Sequence, residues 1–446
     1  MEKKARILTA LAGALLLAAD FLADPLFGGA PGFGKGQWAV LVLGTAALLF
    51  ALAGGWRRFG LLAGSLALSL LLSEGFLQLF FRPWFTTLYR PDPVLLHSLV
   101  PGAFKIFRRL PVNGGRAVPV RVNALGFRGK NFSPAKGRFR IMVYGDSFIE
   151  GEFSPLEETF CQRLQVHLAK RRHKKVQVIN AGVVGYGPDQ CLLKMKEEVP
   201  RFHPDLLVEA VYAGNDYGDL LRNRLFLPAP GGGFRRNRPR LAPSLLAAME
   251  RARSPWILPK LLRKGFWFFQ AHGGIYPDPY RPIRIWRKKA EKEYQAYITR
   301  PEGPVRDLFQ DDYDADLALE PGAPSSRLKV RLMAHVLGRT AALAKKEGIP
   351  LVLLVIPSPI DVCPAYDVRV NEKAHPSYRP RNLAAPLVRI AQSLGLPCLD
   401  LFDSFRKSNP GALYFHGTDD HWNAAGQDLA ARLLAGFLLE KKILGP

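Results

Sequence analysis

The sequence predicts a three-layer α/β/α fold, in which helices cover both faces of a parallel sheet of about five strands. Three observations predict it. From Arg138 onward, short runs rich in β-branched residues alternate with longer helical segments, as in a parallel sheet with crossover helices. The alternation stops at Tyr217 and resumes at Arg327. Residues 1–82 are dominated by long apolar stretches, which sets a membrane anchor apart from this domain.

The chain is therefore expected to have three parts. Residues 1–82 form an anchor of about three transmembrane helices, residues 83–135 form a connecting segment with short strands, and residues 136–446 form the α/β domain. An insertion at about 218–326, rich in Gly, Pro and aromatic residues, interrupts this domain. It serves as a lid, a substrate platform or a membrane-apposed surface, or it is a packed subdomain with its own small core.

The charge pattern around the apolar stretches predicts the orientation of the anchor. The stretches are Ile7–Phe27, Trp38–Leu52 and Leu61–Phe81, of which the first and third reach the roughly 20 residues that a spanning helix needs. Basic residues precede the first stretch, and Arg57 and Arg58 lie between the second and third. By the positive-inside rule, three spans place the α/β domain outside the cytoplasm. Two spans would leave it inside, and a cleaved signal peptide is the other alternative.

Composition narrows the partners only loosely. Lys and Arg number 62 against 38 Asp and Glu, a formal net charge of +24. This excess favours anionic partners such as lipid headgroups, acidic polysaccharide or nucleic acid, without choosing among them. Four cysteines are too few for a disulfide scaffold, and their pairing stays open alongside free thiols. They are Cys161, Cys191, Cys363 and Cys398.

The elements of the α/β domain follow from hydrophobic periodicity and chain length. The strands are expected at Phe139–Tyr144, Val176–Asn180, Leu206–Tyr212, Leu351–Ile356 and Pro397–Leu401. The helices are expected at Leu156–Lys170, Asp189–Val199, Leu328–Lys346, Asn382–Leu394 and Ala424–Leu439. In such a sheet, ligands bind beyond the carboxyl ends of the strands.

Polar residues follow these strands at the edge where ligands bind. Ser147 comes just after the first strand, Gly185 after the second and Asn215 after the third, while Asp419 and His421 precede the last helix. A serine hydroxyl becomes a nucleophile when a base such as His421 takes its proton, and a carboxylate such as Asp419 orients that base. The backbone N–H groups of Ser147 and Gly185 and the Asn215 amide would stabilise an oxyanion.

Each of these residues also has an ordinary structural interpretation. Ser147 alone is typical of a helix N-cap, and Gly185 or Asn215 alone is typical of a turn. His416 and His421 with the neighbouring aspartates would also suit a metal. The metal hypothesis leaves Ser147, Gly185 and Asn215 unexplained, so the serine–histidine–aspartate interpretation is favoured.

Taken together, these motifs resemble the SGNH (GDSL-like) hydrolase superfamily. Gly145-Asp146-Ser147 is similar to its first block, Asn180 to Gly185 to its second and Gly214-Asn215-Asp216 to its third. His421 corresponds to the histidine of its last block. The resemblance covers roughly residues 138–217 and 327–440, and the four blocks in order are a specific signal.

The last block departs from the usual pattern of the superfamily. That pattern is Asp-x-x-His, but Thr418 stands three positions before His421 and Asp419 stands two before. The Asp-x-His spacing is similar to that of the alginate O-acetyltransferase branch. Asp419 is therefore expected to orient His421, with Asp420 less suited; some members of the superfamily work with a Ser–His pair alone.

The resemblance implies a serine esterase with an acyl-enzyme mechanism. The apolar stretches and their flanking charges place it on an anchor in the cytoplasmic (inner) membrane, with an extracytoplasmic catalytic domain. The resemblance also implies an ester or O-acylated lipid or glycan as substrate, contact with a lipid bilayer, no nucleic acid, and no metal or cofactor. An O-acyltransferase acting on an extracellular polysaccharide is one alternative. A non-catalytic glycan- or lipid-binding protein on the same scaffold is the other.

Overall fold

The computed structural model of the protein describes residues 7–8, 10–15, 35–52, 56–135, 137–151, 153–172, 176–261, 278–310, 312–417 and 419–444. The chain divides into two compact units. The first holds Met1–Arg82 together with Trp256–Leu261, and the second holds Pro83–Pro255 and Leu262–Pro446.

The first unit contains two long apolar helices, Lys35–Leu52 and Trp56–Phe85. Within the described residues, one 26-residue segment, Gly60–Phe85, is long and apolar enough to cross a membrane. The expected first span, Ile7–Phe27, lies largely outside the described residues, so the anchor of about three spans stays a prediction. Glu74 accepts hydrogen bonds of 2.7 Å from the N–H groups of Ile257 and Leu258, which ties the short second segment of this unit to the long helix.

The second unit begins with two antiparallel hairpins. In the first, β1 (Tyr89–Asp92) pairs with β2 (Leu96–Leu99), so that Pro91 lies opposite His97. In the second, β3 (Phe104–Arg108) pairs with β4 (Ala117–Arg121). His97 and Val118 are fully buried, so both hairpins pack into the domain rather than forming a loose connection.

A five-stranded parallel sheet forms the centre of the second unit, as predicted. Its strands are β5 (Phe139–Tyr144), β6 (Val176–Asn180), β7 (Leu206–Tyr212), β10 (Leu351–Ile356) and β11 (Cys398–Asp400), in the spatial order β11-β10-β7-β5-β6. All residues of β7 and β10 are buried, because helices cover both faces of the sheet. The first four strands have the bounds predicted from sequence, and β11 is one residue shorter at each end.

The helices form one layer on each face. Phe160–Arg172 packs against Ala424–Glu440 on one face, and on the other Pro324–Lys346 packs against Pro188–Phe202, Asp216–Asn223 and Ala384–Ser393. β6 lies beside β5 at one edge of the sheet, whereas β7, β10 and β11 follow one another toward the opposite edge. The order in which strands are added across the sheet therefore reverses between β5 and β7. α/β sheets bind ligands at such a switch point.

One predicted helix was wrong in its first turn. Instead of one helix over Leu156–Lys170, the chain forms a 3₁₀ turn at Leu156–Glu158 and then a helix at Phe160–Arg172. The Gln427 side chain accepts the N–H of Phe160 at 2.7 Å. This contact caps the helix from a residue far along the chain, which local periodicity does not reveal.

The region expected as an insertion is structured over its described residues. The helix Asp216–Asn223 crosses position 218, at which the insertion was expected to begin. It is followed by a hairpin of β8 (Phe226–Pro228) and β9 (Phe234–Arg236). The helices Pro243–Arg253, Arg281–Thr299 and Ala315–Leu319 come next.

Candidate active site

Ser147 lies at the point where β5 ends and a short helix, Ser147–Glu150, begins. The preceding Asp146 caps this helix, its Oδ1 accepting the N–H of Phe148 at 2.9 Å. A side chain at Gly145 would place its Cβ 2.6 Å from Ile149, so the tight turn requires glycine there. The Asn180 amide donates to the carbonyl oxygen of Ile149 at 2.6 Å. These contacts fix the position of a serine that is itself only 3% exposed.

The imidazole of His421 meets Ser147 from the other end of the chain. The distance between His421 Nε2 and Ser147 Oγ is 2.6 Å, within the reach of proton transfer between a nucleophile and its base. His421 is held by a bridge between Tyr414 and Trp422 and by the Phe415 N–H, which donates to its carbonyl oxygen at 2.8 Å. The ring of Phe148 lies 4.9 Å from the imidazole and restricts its tilt.

The two neighbouring aspartates take different positions. Asp419 Oδ1 lies 2.8 Å from His421 Nδ1 and also accepts the backbone N–H of His421 at 3.1 Å. Asp420 Oδ1 is 3.7 Å from the same nitrogen, and its Oδ2 accepts the Tyr212 hydroxyl at 2.5 Å. Asp419 is therefore the carboxylate whose geometry suits orienting the imidazole.

Two of the three predicted oxyanion donors, Gly185 and Asn215, lie on the loops after β6 and β7, and the third, the Ser147 N–H, lies at the start of the short helix after β5. Gly185 has a φ of +73°, and a Cβ there would lie 2.0 Å from the carbonyl oxygen of Leu308. Asn215 is buried directly before the helix Asp216–Asn223. Among the described residues, Val184 rather than Gly185 or Asn215 lines the cavity at Ser147.

A cavity of about 300 Å³ opens at Ser147. Trp286 and Tyr313, both within residues 218–326, line it together with Phe153 and Tyr366. Tyr313 is anchored from below, since its hydroxyl donates to Asp361 at 2.6 Å. Residues 218–326, which lie between β7 and β10 in the sequence, thus supply two aromatic residues of the cavity wall.

Buried carboxylates surround the turn that carries Ser147. Burial raises the pKa of Asp146 to about 7, against the opposing attraction of His421. Burial also raises the pKa values of Asp216 and Asp420, and the Tyr212 hydroxyl partly offsets the effect at Asp420. The cause is the same in each case, because taking a carboxylate out of water disfavours its charged form.

A metal ion would find three ligand atoms here. One atom each of Asp419, Asp420 and His421 lie within 4.8 Å of one another. Among the described residues, His416 does not belong to this group, and its Nδ1 lies 3.6 Å from Asp367. In the geometry described, the two ring nitrogens of His421 face Asp419 and Ser147, so a metal would have to displace one of these contacts.

Four residues around the site escaped the sequence-based prediction of function. Glu150 and His97 contact the loop that carries Gly185, Asn180 braces the serine turn, and Tyr212 bonds Asp420. Glu150 and His97 are fully buried. A buried ionisable residue inside an apolar segment is the signal that could have drawn attention to them. The four cysteines form no disulfide in the structure.

Comparisons with known proteins agree with the predicted resemblance. The SGNH hydrolase-like domain of the acetyltransferase AlgX matches residues 308–445. This confirms the similarity to the SGNH superfamily and to its acetyltransferase branch, and with it the prediction of an SGNH-type hydrolase or related O-acyltransferase. The matched residues include Asp419 and His421, whereas Ser147, Gly185 and Asn215 precede them. No curated protein matches the chain significantly.

Solved structures of two esterases and a putative acylhydrolase match about two thirds of the chain at low sequence identity. The esterase EstA from Pseudoalteromonas sp. is 11% identical with a TM-score of 0.33, over 68% of this chain and 98% of the esterase. The acetylxylan esterase Axe2 from Geobacillus stearothermophilus is 12% identical with a TM-score of 0.35, over 71% of this chain and 97% of Axe2. A putative acylhydrolase from Bacteroides fragilis is 13% identical with a TM-score of 0.31, over 70% and 91% of the two chains.

Proposed function

We propose, on the premise that residues 308–445 resemble an SGNH hydrolase-like domain, that the protein is a serine esterase that forms an acyl-enzyme at Ser147. One observation carries this proposal. Ser147 Oγ, His421 and Asp419 form a continuous chain of contacts of 2.6 Å and 2.8 Å at a cavity of about 300 Å³. This series of contacts can remove the hydroxyl proton of Ser147 at the cavity in which we expect the substrate to bind.

In the first step, Ser147 Oγ bonds to the ester carbonyl carbon while its proton passes to His421 Nε2. Asp419 holds the imidazole in the required tautomer and stabilises the imidazolium. The negative charge that develops on the carbonyl oxygen would be met by the N–H groups of Ser147 and Gly185 and by the Asn215 amide, each worth about 3 kcal/mol in a buried site.

In the second step, the tetrahedral intermediate expels the alcohol, which takes the proton from His421. The acyl group then remains on Ser147 Oγ. Water, deprotonated by His421, attacks this ester and releases the acid, and the proton returns to the serine. Because the residues already present supply nucleophile, base and oxyanion donors, the cycle balances without an added oxidant or reductant.

The test uses the full-length chain in detergent with an activated short-chain acyl ester. Ser147→Ala should abolish turnover and labelling by a fluorophosphonate probe. Ser393→Ala is the control, since its hydroxyl bonds the Ile390 carbonyl oxygen at the end of a helix. Unchanged turnover in Ser147→Ala would disprove the mechanism, and failure of the wild type to label would favour the non-catalytic binding protein.

A second candidate is an O-acetyltransferase that passes the acyl group to a glycan hydroxyl. The match of residues 308–445 to the acetyltransferase AlgX favours it. Only the second step differs, because a sugar hydroxyl replaces water as the acceptor. Supplying the acyl ester with and without acidic oligosaccharide separates the two: acyl groups on the sugar indicate transfer, and free acid alone indicates hydrolysis.

The catalytic unit is further proposed to lie outside the cytoplasm on a membrane anchor. The 26 residues of Gly60–Phe85 span roughly 39 Å as a helix, more than the roughly 30 Å of a bilayer core. Arg57 and Arg58 lie in the first turn of the helix, just before this apolar segment, and favour the cytoplasmic side. A C-terminal reporter that is active only outside the cytoplasm should be active, and a reporter active only inside would overturn this topology.

A further inference from the structure

The loop that carries Gly185 is a β-turn, a structure whose central peptide occurs in two orientations in proteins. The Tyr186 N–H donates to the Val183 carbonyl oxygen at 3.1 Å, so Val184 and Gly185 are the two central residues. A φ of +73° at Gly185 is the value that a type II turn requires at its third residue. Types I and II follow the same chain path but differ by a reversal of the central peptide, here that between Val184 and Gly185.

Glycine at position 185 makes such a reversal easy, because it adopts both positive and negative φ without a steric penalty. The orientation matters for the proposed reaction. In one orientation the N–H of Gly185 points to one side of the loop, and in the other the Val184 carbonyl oxygen takes its place. An oxyanion would be stabilised in the first case and repelled in the second.

Two buried side chains hold the peptides on either side of Val184. His97 Nε2 lies 2.8 Å from the Val184 carbonyl oxygen, and Glu150 Oε2 accepts the Val184 N–H at 2.8 Å. A carbonyl oxygen only accepts, so Nε2 of His97 carries the proton. In a trans peptide the C=O and N–H groups point in opposite directions, so the Gly185 N–H points away from His97.

His97 is itself fixed within the fold. Its backbone carbonyl oxygen accepts the Tyr186 hydroxyl at 2.7 Å, and its ring meets those of Tyr186 and Phe309 at 5.0 Å and 4.9 Å. The imidazole is fully buried, and burial lowers its pKa to about 4. The ring therefore stays neutral with one donor at neutral pH.

We propose that His97, together with Glu150, is a positioning residue that holds the Val184–Gly185 peptide in one orientation. In this orientation the Gly185 N–H points toward the Ser147 cavity, which Val184 lines. This inference rests on the proposed acyl-enzyme function and assigns a part in it to the N-terminal hairpin of β1 and β2. The hairpin decides whether the loop after β6 presents a donor or an acceptor to the substrate.

The test compares an ester with the matching thionoester, in which sulfur replaces the carbonyl oxygen. Sulfur accepts hydrogen bonds weakly, so the ratio of the ester rate to the thionoester rate measures how much the oxyanion donors contribute. His97→Phe keeps an aromatic ring in the same packing but removes the donor. Loss of one oriented donor should lower kcat for the ester about 10²-fold, with little change in KM and a much smaller loss for the thionoester.

Two further variants separate positioning from folding. His97→Gln retains a side-chain N–H and should recover part of the rate ratio. His335→Phe makes the same change at a histidine that packs between Phe226 and Phe234 and should leave the ratio unchanged. A general loss of structure would lower both rates together and would not alter their ratio.

The outcomes distinguish this inference from the proposed function. A ratio that falls in His97→Phe and recovers in His97→Gln supports positioning by His97. An unchanged ratio in His97→Phe, or an equal loss of both rates, overturns it while leaving the esterase intact. Equal turnover by the wild type and Ser147→Ala means that the proposed function is wrong, and the inference then fails with it.

Discussion

The two turns beside the Ser147 cavity are built in different ways. The turn after β5 is held largely by its own residues, because Asp146 caps the helix that it precedes and the Gly151 N–H donates to the Ser147 carbonyl oxygen at 2.7 Å. The turn after β6 is held by His97 and Glu150 and lies against Leu308. Both turns can be recognised from sequence, but the orientation that distant residues impose on the second cannot.

The largest loss of activity is expected at the carboxylate that orients His421, the base facing Ser147 in the first turn. Asp419→Asn should lower kcat about 10⁴-fold, since an amide at this position favours the wrong imidazole tautomer. Steady-state kinetics on the activated ester measure this loss. Asp420→Asn is the matched control: because Asp420 bonds Tyr212, it should cost far less. Equal losses in the two variants would mean that the structure assigns the orienting carboxylate wrongly.

The second turn should tolerate no side chain at Gly185. Alanine there adds the strain of a left-handed backbone to an overlap with the Leu308 carbonyl oxygen, for a total of about 4 kcal/mol in the free energy of unfolding. Denaturant unfolding in detergent measures this change.

Gly348→Ala is the control for the second turn. Gly348 has a φ of +66°, and among the described residues no heavy atom lies within 4 Å of the place that an alanine Cβ would take. Alanine there should therefore cost only about 1–2 kcal/mol, from backbone strain. Similar losses at the two positions would show that the contact between Gly185 and Leu308 is unimportant.

Acid should weaken the second turn through His97. The folded-state pKa of about 4 lies below the ordinary value of 6.5, so the unfolded chain binds a proton more readily. Stability from this group is fully present above pH 6.5 and is lost as the pH falls toward 4, by about 3 kcal/mol.

The measurement for this prediction is a difference between two chains. Buried acids such as Asp146 and Glu209 have raised pKa values and act in the opposite direction, but equally in the wild type and in His97→Phe. Subtracting the two unfolding free energies at pH 7 and at pH 4 therefore isolates His97. A difference that does not change with pH would contradict a buried neutral imidazole.

The smallest effect is expected at the brace of the first turn. Asn180→Asp removes the amide that donates to the Ile149 carbonyl oxygen and should cost about 1–3 kcal/mol of unfolding free energy. Asn371→Asp, at an exposed residue whose side-chain oxygen accepts the Ala374 N–H, should stay within about 0.5 kcal/mol of the wild type. If the two variants lose equally little, the first turn does not depend on Asn180.

The sequence by itself determined the parallel sheet and the residues that follow its strands. Four strand bounds follow from short apolar runs, each followed within two residues by Gly or Pro, since strand length and turn chemistry are short-range properties. The same logic brings Ser147 and His421 to one edge of the sheet, because carboxyl ends of parallel strands meet there.

Only the tertiary structure decided the details that depend on contacts across the chain. The Asp-x-His spacing already favoured Asp419, but the contact made by Asp420 was decided by side-chain direction, since its carboxylate faces Tyr212 rather than His421. The start of the helix at Phe160 depends on Gln427, and the orientation of the Val184 peptide depends on His97. Packing brings these partners together over long sequence separations, and local patterns carry no record of such pairings.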